Sequence, residues 1–279
     1  MRILRTVAEV RQALARPRLF GTVGLVPTMG ALHEGHVALI KTARRECDTV
    51  VASIFVNPTQ FGDPSDLAAY PRDEAKDAAI AGQAGVDYLF VPTVEEMYRP
   101  GSATWVDVQR ASQGLEGEFR PGHFRGVATV CLKLFLIVGP RFAFFGQKDA
   151  QQVAVVTDMV HDLNVDVVIR VVPTVRDRDG LALSSRNARL STEERSRALA
   201  IPRALDAGLA ASHAGGDPIA AARALLSDVD VEYVAVADLG GHPTLAIAAR
   251  VGRTRLIDNV RLDDPSITVL SSQETRHGN

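Results

Sequence analysis

The segment Gly24-Leu-Val-Pro-Thr-Met-Gly-Ala-Leu-His-Glu-Gly-His36 combines a short apolar run, a turn rich in small residues and the start of a helix. The residues at 24–27 predict a buried strand, and the apolar residues after Gly35 recur at helical spacing. Two imidazoles, His33 and His36, lie where the helix begins. The first turn of a helix offers N–H groups without intrahelical partners and the positive end of the helix dipole, and both favour phosphate. The segment is therefore typical of an α/β protein that binds a nucleotide at the end of this strand.

Strands and helices alternate through the first part of the chain. The predicted strands cover residues 24–27, 49–56, 87–91, 141–145 and 166–172. The predicted helices between them cover residues 35–47, 73–84, 127–138 and 151–162. The strand at 49–56 is apolar on both faces, which is typical of a parallel sheet covered by helices. Because parallel strands are joined by helical crossovers, we expect a doubly wound, mostly parallel Rossmann-like sheet.

The sequence changes character after Pro173. The polar stretch Arg176-Asp-Arg-Asp-Gly180 suggests a hinge, and Ala-rich helices and strand candidates at 231–237 and 253–258 follow it. We therefore predict two domains. Residues 1–175 form the Rossmann-like, nucleotide-binding domain, and residues 176–279 form a smaller α+β C-terminal domain.

Composition limits the classes of partner. The chain has 279 residues and a formal net charge of −2, which gives no general attraction to nucleic acid or to an anionic membrane. Its two cysteines, Cys47 and Cys131, lack the spacing of a metal site and are expected to be buried thiols. The N-terminal segment lacks the apolar core of a signal peptide, and the apolar run at 132–139 is too short to span a bilayer. We therefore expect a soluble cytoplasmic protein that binds neither nucleic acid nor membrane.

Polar residues suited to a polyphosphate follow several of the predicted strands, where ligands bind in open α/β sheets. His33 and His36 can donate hydrogen bonds to phosphoryl oxygens as charge develops in a transition state. Lys148 supplies a point charge between a strand end and a helix start. The group Ser184-Ser-Arg186 offers hydroxyl donors and a guanidinium that can bind phosphate in a bidentate manner.

Two neutral amides at strand ends suggest a second ligand. Gln60 follows the strand at 49–56, and Gln152 lies in the first turn of the helix after Lys148. An amide can orient a hydroxylated carboxylate without neutralising its charge, so the carboxylate stays nucleophilic.

Each motif has a simpler structural explanation when it is taken alone. His33 and His36 can be surface residues at a helix start, Ser184-Ser-Arg-Asn187 can be a helix cap, and Lys148 can be a solvated turn residue. A zinc site at the two histidines lacks a nearby third ligand. The phosphate interpretation is favoured because these separate signals fall at strand ends of one predicted sheet.

Seven segments, taken together and in order, resemble the pantoate–β-alanine ligase family, which belongs to the nucleotidyltransferase superfamily with the HxGH motif. They are PTMGALHEGH, FVNPTQFG, YPRD, RPGHFRGVATV, FFGQKDAQQ, GLALSSRN and TRLIDN. The resemblance implies an AMP-forming ligase that works in two steps. The carboxylate of (R)-pantoate attacks the α-phosphorus of ATP to give pantoyl adenylate and pyrophosphate. The amine of β-alanine then displaces AMP to give pantothenate.

The resemblance also implies roles for individual residues. His36 would be a proton donor in catalysis, with His33 and Lys148 binding phosphate charge. Gln60 and Gln152 would bind pantoate, and Gln60 would also lie near β-alanine. The residues implied to contact ATP are Met29, Gly30, Ala31, Leu32, His33, Glu34, Gly35, His36, Gly146, Gln147, Lys148, Asp149, Val175, Leu183, Ser184, Ser185 and Arg186. The residues implied as helpers are Asn57, Arg120 and His123.

Membership of this family would further imply a metal ion and an oligomeric state, neither of which follows from the motifs themselves. Mg²⁺ would arrive with ATP and be held mostly by phosphates and water, with no protein metal ligands. The protein would be a homodimer formed through its N-terminal domain. Because an acyl adenylate hydrolyses in water, we expect the C-terminal domain with its SSRN motif to act as a lid.

Three other functions are compatible with parts of the sequence. A nucleotidyltransferase that acts on a phosphate ester should carry additional Arg or Lys where this chain has Gln60 and Gln152. A nucleotide sensor without catalytic activity is expected to lack His36 or Lys148, and both are present. A tRNA-charging enzyme is disfavoured by the net negative charge and by the lack of a basic extension.

Overall fold

A computed structural model describes residues 1–264 and 266–270, and within these residues six parallel strands form one sheet. The strands are β1 (Arg2–Leu4), β2 (Val23–Thr28), β3 (Thr49–Ile54), β4 (Tyr88–Phe90), β5 (Phe142–Gly146) and β6 (Val168–Val172). Their order in the sheet is β1-β4-β3-β2-β5-β6. The predicted α/β class with a parallel sheet is confirmed.

The helices connect and cover these strands. Those that precede Pro173 are α1 (Val7–Leu14), α2 (Pro17–Phe20), α3 (Glu34–Glu46), α4 (Pro64–Ala68), α5 (Glu74–Ala84), α6 (Val94–Met97), α7 (Leu115–Phe119), α8 (His123–Val138) and α9 (Ala150–Asp162). Short 3-10 turns lie at Pro58–Gln60 and Gln147–Asp149. Each strand is thus followed by a turn or loop at its carboxyl end, which is where the predicted site residues occur.

Successive residues of the strands enter two different apolar cores. On β2, Leu25 belongs to a core with residues of α1, α8 and α9, whereas Val26 belongs to a core with residues of α3 and α5. On β4, Leu89 belongs to the core with α3 and α5, and Phe90 belongs to the core with α1, α8 and α9. Because side chains alternate across a strand, the two cores lie on opposite faces of the sheet. This is the doubly wound arrangement that the sequence predicts.

The chain forms two compact units, of which the first comprises Met1–Gln147 with Gln151–Pro173. The second comprises Lys148–Ala150 and the chain from Thr174 onward. It contains a 3-10 turn (Ser185–Arg189) and an antiparallel sheet ordered β7-β8-β9. Its other elements are α10 (Thr192–Ala198), α11 (Ala200–His213), α12 (Pro218–Arg223), β7 (Asp230–Asp238), β8 (Pro243–Val251) and β9 (Thr254–Arg261). The second unit is therefore of the α+β type.

Several local predictions differ from the structure. Strands β1 and β8 are not predicted, because β1 is three residues long and β8 is an almost continuously buried run without alternation. Helix α8 begins at His123 rather than at residue 127, after Gly122 in the left-handed conformation. The polar stretch that suggests a hinge is held by ion pairs, since Arg195 binds both Asp177 and Asp179 at 2.7 Å.

Cys47 and Cys131 are buried free thiols, as predicted. Burial raises the pKa of Cys47 to about 11 and the pKa of Cys131 to about 12. Both groups therefore stay protonated near neutral pH, and neither is suited to act as a nucleophile. In the part of the chain that the structure describes, no helix combines the length and apolar character that crossing a membrane requires.

A buried ion pair fixes the start of the second unit. Arg176 binds Asp258 through two hydrogen bonds, at 2.6 and 3.1 Å, and also donates to the Gly180 carbonyl at 3.1 Å. The side chain of Asp258 is 3% exposed and that of Arg176 is 14% exposed. Removing one partner of such a pair leaves an uncompensated charge in the interior.

We expect Asp258→Ala to lower the free energy of unfolding by about 3–5 kcal/mol, because Arg176 loses its buried counter-ion. Urea denaturation measures this change. Asp166→Ala serves as the control, since Asp166 pairs with Arg141 at the surface and such pairs contribute about 1 kcal/mol or less. Equal losses in the two variants would contradict the assigned role of the buried pair.

Candidate active site

The loop between β2 and α3 has an unusual backbone. Gly30 and Ala31 both have positive φ, +84° and +52°, and the second is not a glycine. A Cβ atom at residue 30 would lie 2.8 Å from Asp77 Oδ2, so only glycine fits there. The loop thus makes a tight left-handed turn that brings the chain from the end of the strand to His33, the N-cap of α3.

Backbone N–H groups of this loop donate to side chains. Those of Ala31 and Leu32 donate to Asp77 Oδ2 and Oδ1, each at 2.8 Å. The His33 N–H donates to His36 Nδ1 at 3.3 Å, and the Gly35 N–H donates to His33 Nδ1 at 3.1 Å. The N–H groups of His33 and Gly35, at the start of α3, therefore have side-chain acceptors instead of being unpaired, and those of Ala31 and Leu32, in the loop before the helix, are held by Asp77.

The same hydrogen bonds determine the tautomer of both histidines. A ring nitrogen that accepts an N–H carries no proton, so in the neutral ring of His33 or His36 the proton is on Nε2. The two ring centroids are 4.2 Å apart and the ring planes are tilted by 48°. In the neutral rings the donors of this neighbouring pair are therefore the Nε2–H groups, the group type that stabilises negative charge on phosphoryl oxygens.

A second set of hydrogen bonds orients the amide of Gln60, which is 7% exposed at the end of the turn after β3. Asn57 Oδ1 accepts the Thr59 N–H, at 3.4 Å, and the Tyr98 hydroxyl, at 3.0 Å. Its Nδ2 group therefore donates, to Gln60 Oε1 at 2.9 Å. Because Oε1 is the acceptor in this bond, the Nε2 of Gln60 is the donor that remains for a ligand. Asn57 thus orients Gln60.

His123 and Arg120 support the backbone of the same turn. The Nδ1 of His123 lies 2.9 Å from the Gln60 carbonyl oxygen, which can only accept, so Nδ1 carries the proton. The Nε2 of His123 then accepts from Arg120 at 3.2 Å. Both ring nitrogens are engaged within the protein, and His123 and Arg120, two of the three residues predicted as helpers, support the turn that carries Gln60.

Helix α8 packs directly against the backbone of this turn, at Gly126. A Cβ atom at Gly126 would lie 2.6 Å from the Thr59 carbonyl oxygen and 2.8 Å from Gln60 Cα. The Gly126 carbonyl also accepts from Asn57 Nδ2 at 3.2 Å. The position of Gln60 therefore depends on a glycine in the facing helix.

Gln151 anchors the loop that leads to α7. Its Nε2 donates to the carbonyls of Gln113 and Gly114, at 3.1 and 3.2 Å, and its Oε1 accepts the Glu116 N–H at 3.0 Å. Gln151 is 6% exposed. Its neighbour Gln152, a predicted ligand of pantoate, is half-buried in the first turn of α9.

The second unit contains a pocket of its own, and it brings together several predicted phosphate ligands. Its polar lining residues are Lys148, Ser184, Arg186, Asn187, Arg255 and Asp258. Ser184 also caps the turn that follows, since its side chain accepts the Arg186 N–H at 3.3 Å. The SSRN segment is therefore both a cap and a pocket wall.

Lys148 is held in this pocket through its backbone. Asn259 Nδ2 donates to the Lys148 carbonyl at 2.8 Å, and the ammonium lies 3.6 Å from Asp149 Oδ1. Asn187 Oδ1 is buried and, among the described residues, has no hydrogen-bond partner. A polar ligand would satisfy it, because a buried acceptor without a donor is unfavourable.

The remaining predicted ATP contacts belong to loops and turns of both units. Gly146 ends β5, and Gln147 and Asp149 lie in the 3-10 turn that follows it. The Leu183 N–H donates to the Val175 carbonyl at 2.9 Å, which places the two residues on adjacent extended segments. In the loop after β2, Met29 and Gly35 are half-buried, and Glu34 is exposed at the start of α3.

Three residues that orient the site do not stand out in the sequence. They are Asp77, Gln151 and Asn259. Asp77 is distant in the chain from the loop that it binds, and an acidic residue inside a helix carries no signal of its own. Gln151 lies beside the predicted Gln152, and Asn259 lies in the TRLIDN segment, to which the sequence assigns no role.

Comparisons with known proteins agree with the motifs. Residues 2–261 match the model of the family described as pantoate-beta-alanine ligase. The chain is 49% identical over 293 residues to the pantothenate synthetase of Acidobacterium capsulatum, covering 95% of this chain and 98% of that protein. The crystal structure of pantothenate synthetase from Thermus thermophilus superimposes with a TM-score of 0.89 and 46% identity, covering 94% of this chain and 99% of that one.

A further crystal structure is that of the pantoate-beta-alanine ligase from Francisella tularensis complexed with beta-gamma ATP and beta-alanine. It superimposes with a TM-score of 0.83 at 34% identity, covering 95% of this chain and 98% of that chain. The similarity extends through both units.

We expect Gly126→Ala to lower the free energy of unfolding by about 1–3 kcal/mol, because the added methyl collides with the backbone of the Gln60 turn. Gly62→Ala is the matched control, since a Cβ there meets no atom within 4 Å. That change should raise stability by about 0.4–1 kcal/mol by restricting the unfolded chain. Thermal denaturation measures both, and a stable Gly126→Ala protein would show that the helix can move away.

Proposed function

The chain belongs to the pantoate-beta-alanine ligase family, and from that premise we propose that it condenses (R)-pantoate with β-alanine to give pantothenate. The reaction uses ATP, and the protein is a ligase. The ligase from Francisella tularensis, with beta-gamma ATP and beta-alanine in its crystal structure, supports two of the three substrates. The observation that carries the proposal is the match across residues 2–261, because it includes every predicted site residue.

In the first step, a carboxylate oxygen of pantoate attacks the α-phosphorus of ATP. The bond from that phosphorus to the bridging oxygen breaks, pyrophosphate leaves, and pantoyl adenylate forms. Negative charge increases on the phosphoryl oxygens as the reaction proceeds. We assign the Nε2–H groups of His33 and His36 to these oxygens, since their Nδ1 atoms are already acceptors for backbone N–H groups.

In the second step, the uncharged amine of β-alanine attacks the acyl carbon of the adenylate. The bond between that carbon and the phosphate oxygen breaks, AMP leaves with the electron pair, and the amine loses a proton. We assign the Nε2 of Gln60 to pantoate because Asn57 engages the amide oxygen and leaves the donor for the ligand. Gln152 is assigned to the same substrate from the family resemblance.

The pocket of the second unit suits phosphate oxygens. We propose that Lys148, Ser184 and Arg186 of this pocket bind the phosphates of ATP, since an ammonium, a hydroxyl and a guanidinium are all donors. Ser185 is assigned to the phosphates from the family resemblance. Mg²⁺, which the family resemblance implies, would be held mostly by the phosphates of ATP and by water, and it would supply compensation for the charge of pyrophosphate. The remaining assignments stay predictions: a homodimer from the resemblance, a cytoplasmic location from composition, and a lid formed by residues 176–279 from the need to keep water away from the adenylate.

The reaction is tested by incubating the protein with MgATP and (R)-pantoate, with and without β-alanine. We expect pantothenate and AMP to form in equal amounts only when all three substrates are present, because the amine is needed to release AMP. (S)-Pantoate is the control for the substrate. Lack of β-alanine-dependent AMP release would reject the proposed function.

The histidine assignment is tested by a pair of substitutions. His36→Asn places a carbonyl oxygen near the position of Nδ1 and so keeps an acceptor for the His33 N–H, but it lacks the Nε2–H donor. We expect the single-turnover rate of pantoyl adenylate formation to fall about 10²–10³-fold, with stability largely retained. His36→Gln, whose amide N–H₂ reaches the Nε2 position, should retain more of the rate.

His161→Asn is the matched control, since the side chain of His161 is 88% exposed on α9. A His36→Asn enzyme with the wild-type rate of adenylation would remove His36 from the first step.

A further inference from the structure

Asp77 is a buried carboxylate to which the proposed mechanism gives no part. It lies on α5 and is 2% exposed. The start of α5 does not require it, because Asp73 is the N-cap and accepts the Lys76 N–H at 3.0 Å. The partners of Asp77 are instead the N–H groups of Ala31 and Leu32, which are 46 and 45 residues away along the chain.

We propose that Asp77 is a positioning residue for the two histidines, acting by clamping the loop that precedes them. Each of its carboxylate oxygens accepts one backbone N–H at 2.8 Å, from two successive residues. The next residue is His33, whose ring and N–H take part in the cap of α3. The carboxylate therefore fixes the chain directly before the group that sets the direction of both imidazoles.

The backbone of the loop explains why a clamp is needed. Ala31 has a φ of +52°, which is unfavourable for a residue with a Cβ and persists only where the surroundings hold it. Gly30, with a φ of +84°, allows the loop to approach the carboxylate closely. If the N–H groups of Ala31 and Leu32 had no acceptors, the loop would lose the hydrogen bonds that offset its unfavourable backbone conformation.

The chemistry of the clamp requires two acceptor atoms. A carboxylate has two oxygens and no donor, whereas an amide has one oxygen and an N–H₂ group. In Asp77→Asn, one of the two backbone N–H groups therefore faces another donor. The substitution keeps the size and shape of the side chain but removes half of the clamp.

Asp87 provides a matched control. It also accepts a backbone N–H, from Val50 at 2.8 Å, and its second partner is Arg44 at 2.7 Å. It directly precedes β4, and its N–H donates to the Val50 carbonyl at 2.9 Å near the start of β3, whereas the histidine loop follows the carboxyl end of β2. Asp87→Asn therefore tests the loss of a carboxylate that holds backbone elsewhere in the same unit.

The test combines amide hydrogen exchange with single-turnover kinetics, and its kinetic part rests on the proposed function. We expect Asp77→Asn to speed exchange of the Ala31 and Leu32 amides more than tenfold, and to slow pantoyl adenylate formation about 10²-fold, the cost of a misplaced catalytic group. The KM for β-alanine should stay within about twofold, because the amine attacks after adenylation. Asp87→Asn should alter neither the exchange of these two amides nor the adenylation rate.

Two results would overturn the proposal: unchanged exchange of the two amides in Asp77→Asn, or faster exchange with a wild-type adenylation rate. If the variant does not fold, hydrogen exchange of the wild-type protein is the test. Amides of Ala31 and Leu32 that exchange there as fast as the amides of exposed loops would refute the clamp. A wild-type protein that forms no pantothenate would reject the proposed function, whereas the exchange measurement would still report on the clamp.

Discussion

Backbone N–H groups in the loops after parallel strands lack the partners that a sheet or a helix would supply, and they must find other acceptors. In this protein, side chains provide them. Asp77 and His33 accept such N–H groups after β2, Asn57 accepts one after β3, and Gln151 accepts the Glu116 N–H. The conformation of each of these three segments therefore depends on one or two specific polar side chains.

The hydrogen bonds that satisfy these backbone and side-chain groups also determine which atoms of the histidines and of Gln60 can donate to a ligand. A neutral imidazole that accepts an N–H at Nδ1 has its proton on Nε2, so the hydrogen bonds of the backbone select the Nε2–H tautomer of His33 and His36. An amide whose oxygen accepts from Asn57 has its N–H₂ group left for a ligand. In both places a single interaction stabilises the loop and prepares a donor, which is why structural and functional roles are hard to separate here.

The second unit follows the same principle with a different set of partners. Asn259 donates to the carbonyl of Lys148, and the neighbouring Asp258 holds Arg176 through a buried bidentate pair. Adjacent residues of β9 thus fix both the lysine and the beginning of the polar stretch after Pro173. The sequence suggests a hinge at that stretch because its residues are polar, but their charges are used in ion pairs.

The sequence by itself determined the sheet class, most of the strands, the four long helices of the first unit (α3, α5, α8 and α9), and the residue types of the candidate site. Those features follow from local patterns, such as the apolar runs at 49–56 and 141–145 and the spacing of His33 and His36. Strand β8 was not predicted, because it is buried almost throughout and so lacks the alternation of apolar and polar residues that indicates a strand. Only the tertiary structure decided how the backbone of these loops is held. The residues that hold it, Asp77 for the histidine loop and His123 for the turn of Gln60, are distant in the chain and are brought close by the packing of helices on the sheet.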